Sequence, residues 1–155
     1  MKKSHILALI LVVFLLVTTI IYLTLLPSRV DMKMYGAEVD TDGAVMKAGD
    51  IILSGIRYDG KNKIKFNEFT LPNVECYLPE TEGFQIRELS DKPYEWISGA
   101  YLYEGTGQME MFDLYLSTDY SWCAIKTESN RYFVGSIDTD FDPADVLEMV
   151  SEHLG

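Results

Sequence analysis

Residues 109–136 read MEMFDLYLSTDYSWCAIKTESNRYFVGS, and the period of this stretch decides the fold. In 109–116, Phe112, Leu114 and Leu116 fall on every second position. In 122–127, Cys123 and Ile125 share a face, and in 131–136 Tyr132 and Val134 do. Spacing of two is the mark of a pleated strand, and none of the three runs carries a helical stripe. Glu128-Ser129-Asn130 joins the second run to the third as a hairpin. Downstream the period changes. Asp142-Pro143 supplies an N-cap and a proline at the first helical position. Val146, Leu147, Val150 and Leu154 then recur at helical spacing, and Gly155 is a natural stop. Upstream, Gly105-Thr106-Gly107 turns the chain from 101–103. Residues 90–97, with Pro93, read as irregular. Short alternating runs occupy 84–89, 74–78, 63–71 and 50–58, the last two joined at Asp59-Gly60. The expectation is a mainly β domain over 34–155. It has about seven strands in a sandwich or partly open barrel, and a C-terminal helix at about 142–154 that caps the open end.

The other end obeys a different rule. Residues 6–26, ILALILVVFLLVTTIIYLTLL, hold no charge, Gly or Pro. As a helix they are about 30 Å long, the thickness of a bilayer's hydrocarbon core. The polar groups of Thr18, Thr19 and Thr24 can bond to carbonyls a turn earlier, and Tyr22 suits the interface. The run is too long for a signal peptide's apolar region, and no small-residue cleavage site follows it. We expect a single-pass anchor in the cell membrane, with 1–5 as a short basic tail and 27–33 as a juxtamembrane linker. Lys2 and Lys3 in the tail place the domain outside the cytoplasm.

The chain has 155 residues and a net charge of -11. Lys2 and Lys3 are the only charges before Pro27, so the remaining 11 basic residues face all 24 acidic ones, a net of -13. That argues against a nucleic-acid binder, whose footprint is a basic patch. Two cysteines make no disulfide scaffold, and no Cys/His group has zinc spacing.

Residues 99–149 contain Gly99 ahead of Tyr101 and Tyr103, then Leu114-Tyr115-Leu116, a strand ending in Thr127, Tyr132-Phe133-Val134-Gly135-Ser136, and Asp142-Pro143. In these motifs the segment resembles the last half of the bacterial pleckstrin-homology-like domains found in small membrane proteins. The resemblance covers about a third of the chain. It implies a seven-stranded, partly open barrel closed by a helix, and it does not imply phosphoinositide binding. Many such proteins carry two or more membrane helices, whereas this chain shows one.

Two groups are candidates for contact with a ligand or partner, and two further clusters are weighed beside them. Lys61, Lys63 and Lys65 alternate onto one face, either as an anion or lipid-headgroup contact or as a solvated strand face; the net charge favours the latter. Tyr94, Trp96, Tyr101 and Tyr103 are either an exposed binding patch or half-buried packing, with packing the weightier reading. Cys76 and Cys123 read as buried free thiols, with a disulfide as the alternative. Asp138, Asp140 and Asp142 lack the glycine and glutamate of a calcium loop and read as a solvated loop and helix N-terminus, with weak cation binding as the minor alternative. No nucleophile elbow, phosphate loop, triad or metal pair is present, so no catalytic, cofactor or metal residues are named. The functional expectation is a membrane-anchored, non-enzymatic interaction or accessory domain with an unidentified protein partner. The alternative is a small-molecule or lipid-sensing carrier barrel.

Overall fold

The computed structural model describes residues 3–154. Helix α1 spans Lys3–Leu25 and contains a 19-residue window, His5–Leu23, of mean hydropathy 3.1, long and apolar enough to cross a membrane. Among the described residues its apolar side chains are all exposed, and the turn at Gly60 meets the helix at its end, at Leu25. Thr18 and Thr19 donate their hydroxyls to the carbonyls of Phe14 and Leu15, which satisfies them within the helix. Met1, Lys2, Gly155 and the side chains of Lys3, Ser4 and Thr24 lie outside what is described, and with them the expected stop and the start of the basic tail; residues 3–5 of that tail are the first of α1.

Strand β1 begins at Ser28, so the expected linker over 27–33 is a strand instead. The signal is in the sequence: Val30, Met32 and Met34 are buried and alternate with exposed Arg29, Asp31 and Lys33. The sheet comprises β1 (Ser28–Val39), β2 (Val45–Tyr58), β3 (Lys63–Thr70), β4 (Cys76–Tyr77), β5 (Phe84–Glu88), β6 (Tyr94–Tyr103), β7 (Met109–Ser117), β8 (Trp122–Thr127) and β9 (Tyr132–Ser136). Neighbours are antiparallel throughout, and β1 pairs with β9, Tyr35 opposite Ser136 and Val39 opposite Tyr132. Eight strands therefore close an up-and-down barrel, while β4 lies outside the ring, paired to the end of β6. The expected strands begin at residue 50 and so omit β1; with 90–97 read as irregular they keep only the end of β6, which runs unbroken from Tyr94 directly after Pro93.

Successive side chains point alternately in and out, so the barrel has two apolar systems. The inner one includes Met34, Ile51, Leu53, Ile64, Ile97, Leu114, Ile125 and Phe133, each no more than 1% exposed. Eight strands enclose a space that side chains just fill. At the Ser54/Gly55 bulge the register of β2 against β3 shifts, which lets both Phe66 and Phe69 reach the interior. A Cβ at Gly55 would lie 2.1 Å from the Lys65 carbonyl oxygen, so only glycine permits the approach.

The outer system is Ala37, Val39, Tyr115, Ala124, Tyr132 and Val134, covered by Val146, Leu147 and Val150. These strand positions have outward parity. The C-terminal segment therefore lies on the wall of β8 and β9 and does not cap an open end. A closed barrel leaves no end for it to cover, and outward Ala124 and Val134 make a shallow apolar seat. The segment is two short helices, α2 (Pro143–Met149) and α3 (Ser151–Leu154). Asp142 caps α2 by accepting from the Ala144 amide at 2.9 Å, and Lys126 donates to the Leu154 carbonyl.

Candidate functional site

Charged side chains at inward positions close both ends of the barrel. At the end nearer α1, Arg57 of β2 reaches across to Glu95 of β6, donating Nη1 to Oε2 at 2.6 Å and Nη2 to Oε1 at 2.7 Å. Arg57 also donates to Asp59 and to the Tyr120 hydroxyl. Glu95 above all, then burial working against it and Asp59 working with it, leaves Arg57 with a pKa well above the ordinary guanidinium value. The forked pair is nearly dry: the side chains are 16% and 7% exposed.

At the far end, Arg131 donates Nε to Glu38 Oε1 at 2.8 Å and Nη1 to the Tyr103 hydroxyl. The hydrogen bond from Arg131 is the main cause that holds Glu38 below the usual carboxylate range. Its Oε2 is buried without a hydrogen-bond partner among the described residues. Beside this pair, Glu110 accepts from the Ser129 amide and hydroxyl and from Tyr103. Burial pushes the Glu110 pKa up, but these donors together outweigh it and hold it at about 2. Both ends are thus latched by ion pairs between strands distant in sequence. Inward parity was the clue that could have found them: Arg57 continues the series Ile51, Leu53, Gly55, and Glu95 precedes Ile97.

The candidate contact residues do not form one site. Lys61 lies in a 3-10 turn, Asp59–Lys61, where the sequence suggested a two-residue hairpin; only Lys63 and Lys65 share the outer face of β3. Lys63 stands 3.9 Å from Glu82. Tyr94 and Trp96 point outward into the cluster under α2 and α3, where His153 stacks on Tyr115 and Trp96. Tyr101 is fully buried inside the barrel, and Tyr103 joins the far latch. The exposed-patch reading of these four is thereby overturned: their alternation sends two to each side of the wall. Both thiols are free, Cys123 buried in the barrel and Cys76 half-buried. Burial pushes their pKa values up to about 12 and about 11. Asp138 and Asp142 accept backbone amides two residues on, and among the described residues no three acidic, His or Cys groups are placed to hold a metal.

One part of the wall is incomplete. Strands β3 and β5 pair only at Lys63 with Gln85 and Ile64 with Phe84. Above this the two sides separate around a surface hollow of about 750 Å³, until Leu71 bridges Val74. The hollow is lined by residues 65–70 on one side, 76–82 on the other, and Phe84. Sequence reasoning missed it, because a seam is a property of pairing and not of either strand's own pattern. No family model matches the chain, and neither a curated protein nor a solved structure does.

Proposed function

We propose that this protein is a membrane-anchored, non-enzymatic docking domain. Helix α1 holds the barrel at a bilayer, and the outer wall meets another protein. The observation that carries the reading is a bare apolar helix joined, through Leu26 and Pro27 alone, to a barrel whose interior is packed and whose ends are latched. A carrier needs a hollow interior. Here Ile51, Leu53, Leu114 and Phe133 occupy that space, so the working surface is external.

The domain faces away from the cytoplasm on this reading, with Lys2 and Lys3 inside. Because Cys123 is buried but Cys76 is only half-buried beside the surface hollow, sidedness is read from Lys47→Cys, an exposed position on β2, in a chain that also carries Cys76→Ser. Labelling of intact cells by an impermeant thiol reagent is expected; labelling only after lysis reverses the topology. Docking is tested by a photocrosslinking residue at exposed Tyr77, beside the seam, with Val45 at the β2 start as the comparison. One discrete adduct from position 77 in intact membranes, absent from position 45, supports the reading. No adduct from either position, with the chain resistant to carbonate extraction, counts against docking while leaving the anchor standing.

A further inference from the structure

The hollow in the wall is a slot at a strand edge. Successive residues of a strand point to opposite faces, so a cavity touching one face meets every second residue. This one meets all of residues 65–70 on β3 and all of 76–82 opposite. It therefore lies beside the backbone of β3, in the plane of the sheet. Beyond Ile64, β3 has β2 as its ladder partner and no register with β5. An edge of this kind is completed by another extended chain. A strand residue fills about 3.3 by 4.8 by 10 Å, so a 750 Å³ hollow holds about five residues by volume; β3 and β4 approach within 8 Å, Cα to Cα, so the added chain lies beside 78–82 and not between β3 and β4.

The lining states the chemistry of that chain. Phe66, Phe69 and Phe84, 6–9% exposed, offer an apolar floor. Glu68, Glu80 and Glu82 stand exposed around it, against Lys65 as the lone cation of the lining. We propose that the slot binds an extended segment of a partner protein, with apolar and basic residues alternating, as an added strand along β3. A second copy of this chain fits poorly, since like edges would bring the same carboxylates together. The proposal rests on the docking reading and names the partner's chemistry.

The test uses the full chain in phosphatidylcholine nanodiscs. The probe is a fluorescein-labelled heptapeptide of alternating lysine and valine. Its glutamate–valine counterpart and two versions N-methylated at every second amide, one in each frame, are the comparisons. Saturable binding of the lysine peptide is expected, weaker by at least about tenfold for the glutamate peptide and for one methylated frame. Amide exchange over residues 65–70 slows when the lysine peptide is bound. The exposed double variant Glu68→Lys/Glu80→Lys inverts the charge preference. No saturable binding, unchanged exchange over 65–70, equal affinity for both methylated peptides, or self-association of the chain through this edge overturns the proposal. Vesicle flotation is read in parallel: a chain that floats without binding peptide sinks the slot alone, and one that binds without floating sinks the anchor alone.

Discussion

Arg57 and Glu95 are 38 positions apart in sequence and share two hydrogen bonds inside the barrel. Removing one partner from such a pair leaves the other charged and unpaired in a dry place, whereas removing both leaves only a packing problem. Arg57→Met is therefore expected to lower unfolding free energy in urea, measured in detergent micelles, by about 3–5 kcal/mol. Adding Glu95→Leu restores most of it. Glu110 reports through pH instead. Its folded pKa of about 2 lies below the usual 4.5. The stability it contributes is fully present above the unfolded value and is lost as pH falls from about 4.5 toward 2. Stability of Glu110→Gln, followed by tryptophan fluorescence across that window, should fall less steeply than that of the unaltered chain. An identical slope would remove Ser129 and Tyr103 from the account.

Apart from β1 and the first part of β6, the strands were legible because each buries one face, and alternation survives without any knowledge of neighbours. What alternation cannot carry is pairing. Closure of β1 on β9, the two-residue contact of β3 with β5 and the latches across the barrel all depend on which strand lies beside which. The same limit explains α2. Its apolar stripe and cap were plain, but its seat was not, because Ala124 and Val134 are unremarkable until β8 and β9 lie side by side. On the wall, Val146, Leu147 and Val150 cover one patch and Asp142 fixes the entry. Leu147→Ala is expected to cost about 2–4 kcal/mol and Asp142→Ala about 1 kcal/mol, both read from urea midpoints. Neither change should alter exchange of the β3 amides bonded to β2 under native conditions, since no residue of β2 or β3 belongs to the apolar cluster under the helices. Loss of that protection in Leu147→Ala would make the helix part of the barrel's own core.

Two bodies of opposite character meet at one short junction. Helix α1 ends at Leu25 and β1 starts at Ser28, so Leu26 and Pro27 alone separate them. The turn after β2 rests on the helix end: a Cβ at Gly60 would lie 2.6 Å from Leu25 Cδ2. Proline fixes its own φ and biases the residue before it toward extended backbone, so the junction has little freedom. With α1 anchored as proposed, the junction holds the barrel at a set tilt over the bilayer, and its seam at a set height. Stability does not depend on this arrangement, because neither apolar system of the barrel draws on α1. Inserting a flexible six-residue Gly–Ser segment between Pro27 and Ser28 should leave the barrel's urea stability unchanged to within about 0.5 kcal/mol. It should broaden the distance from a dye on Lys47→Cys to labelled headgroups, measured by time-resolved energy transfer in nanodiscs. A distribution as narrow as that of the uninterrupted chain would mean that the barrel's own surface, and not the junction, sets its posture on the membrane.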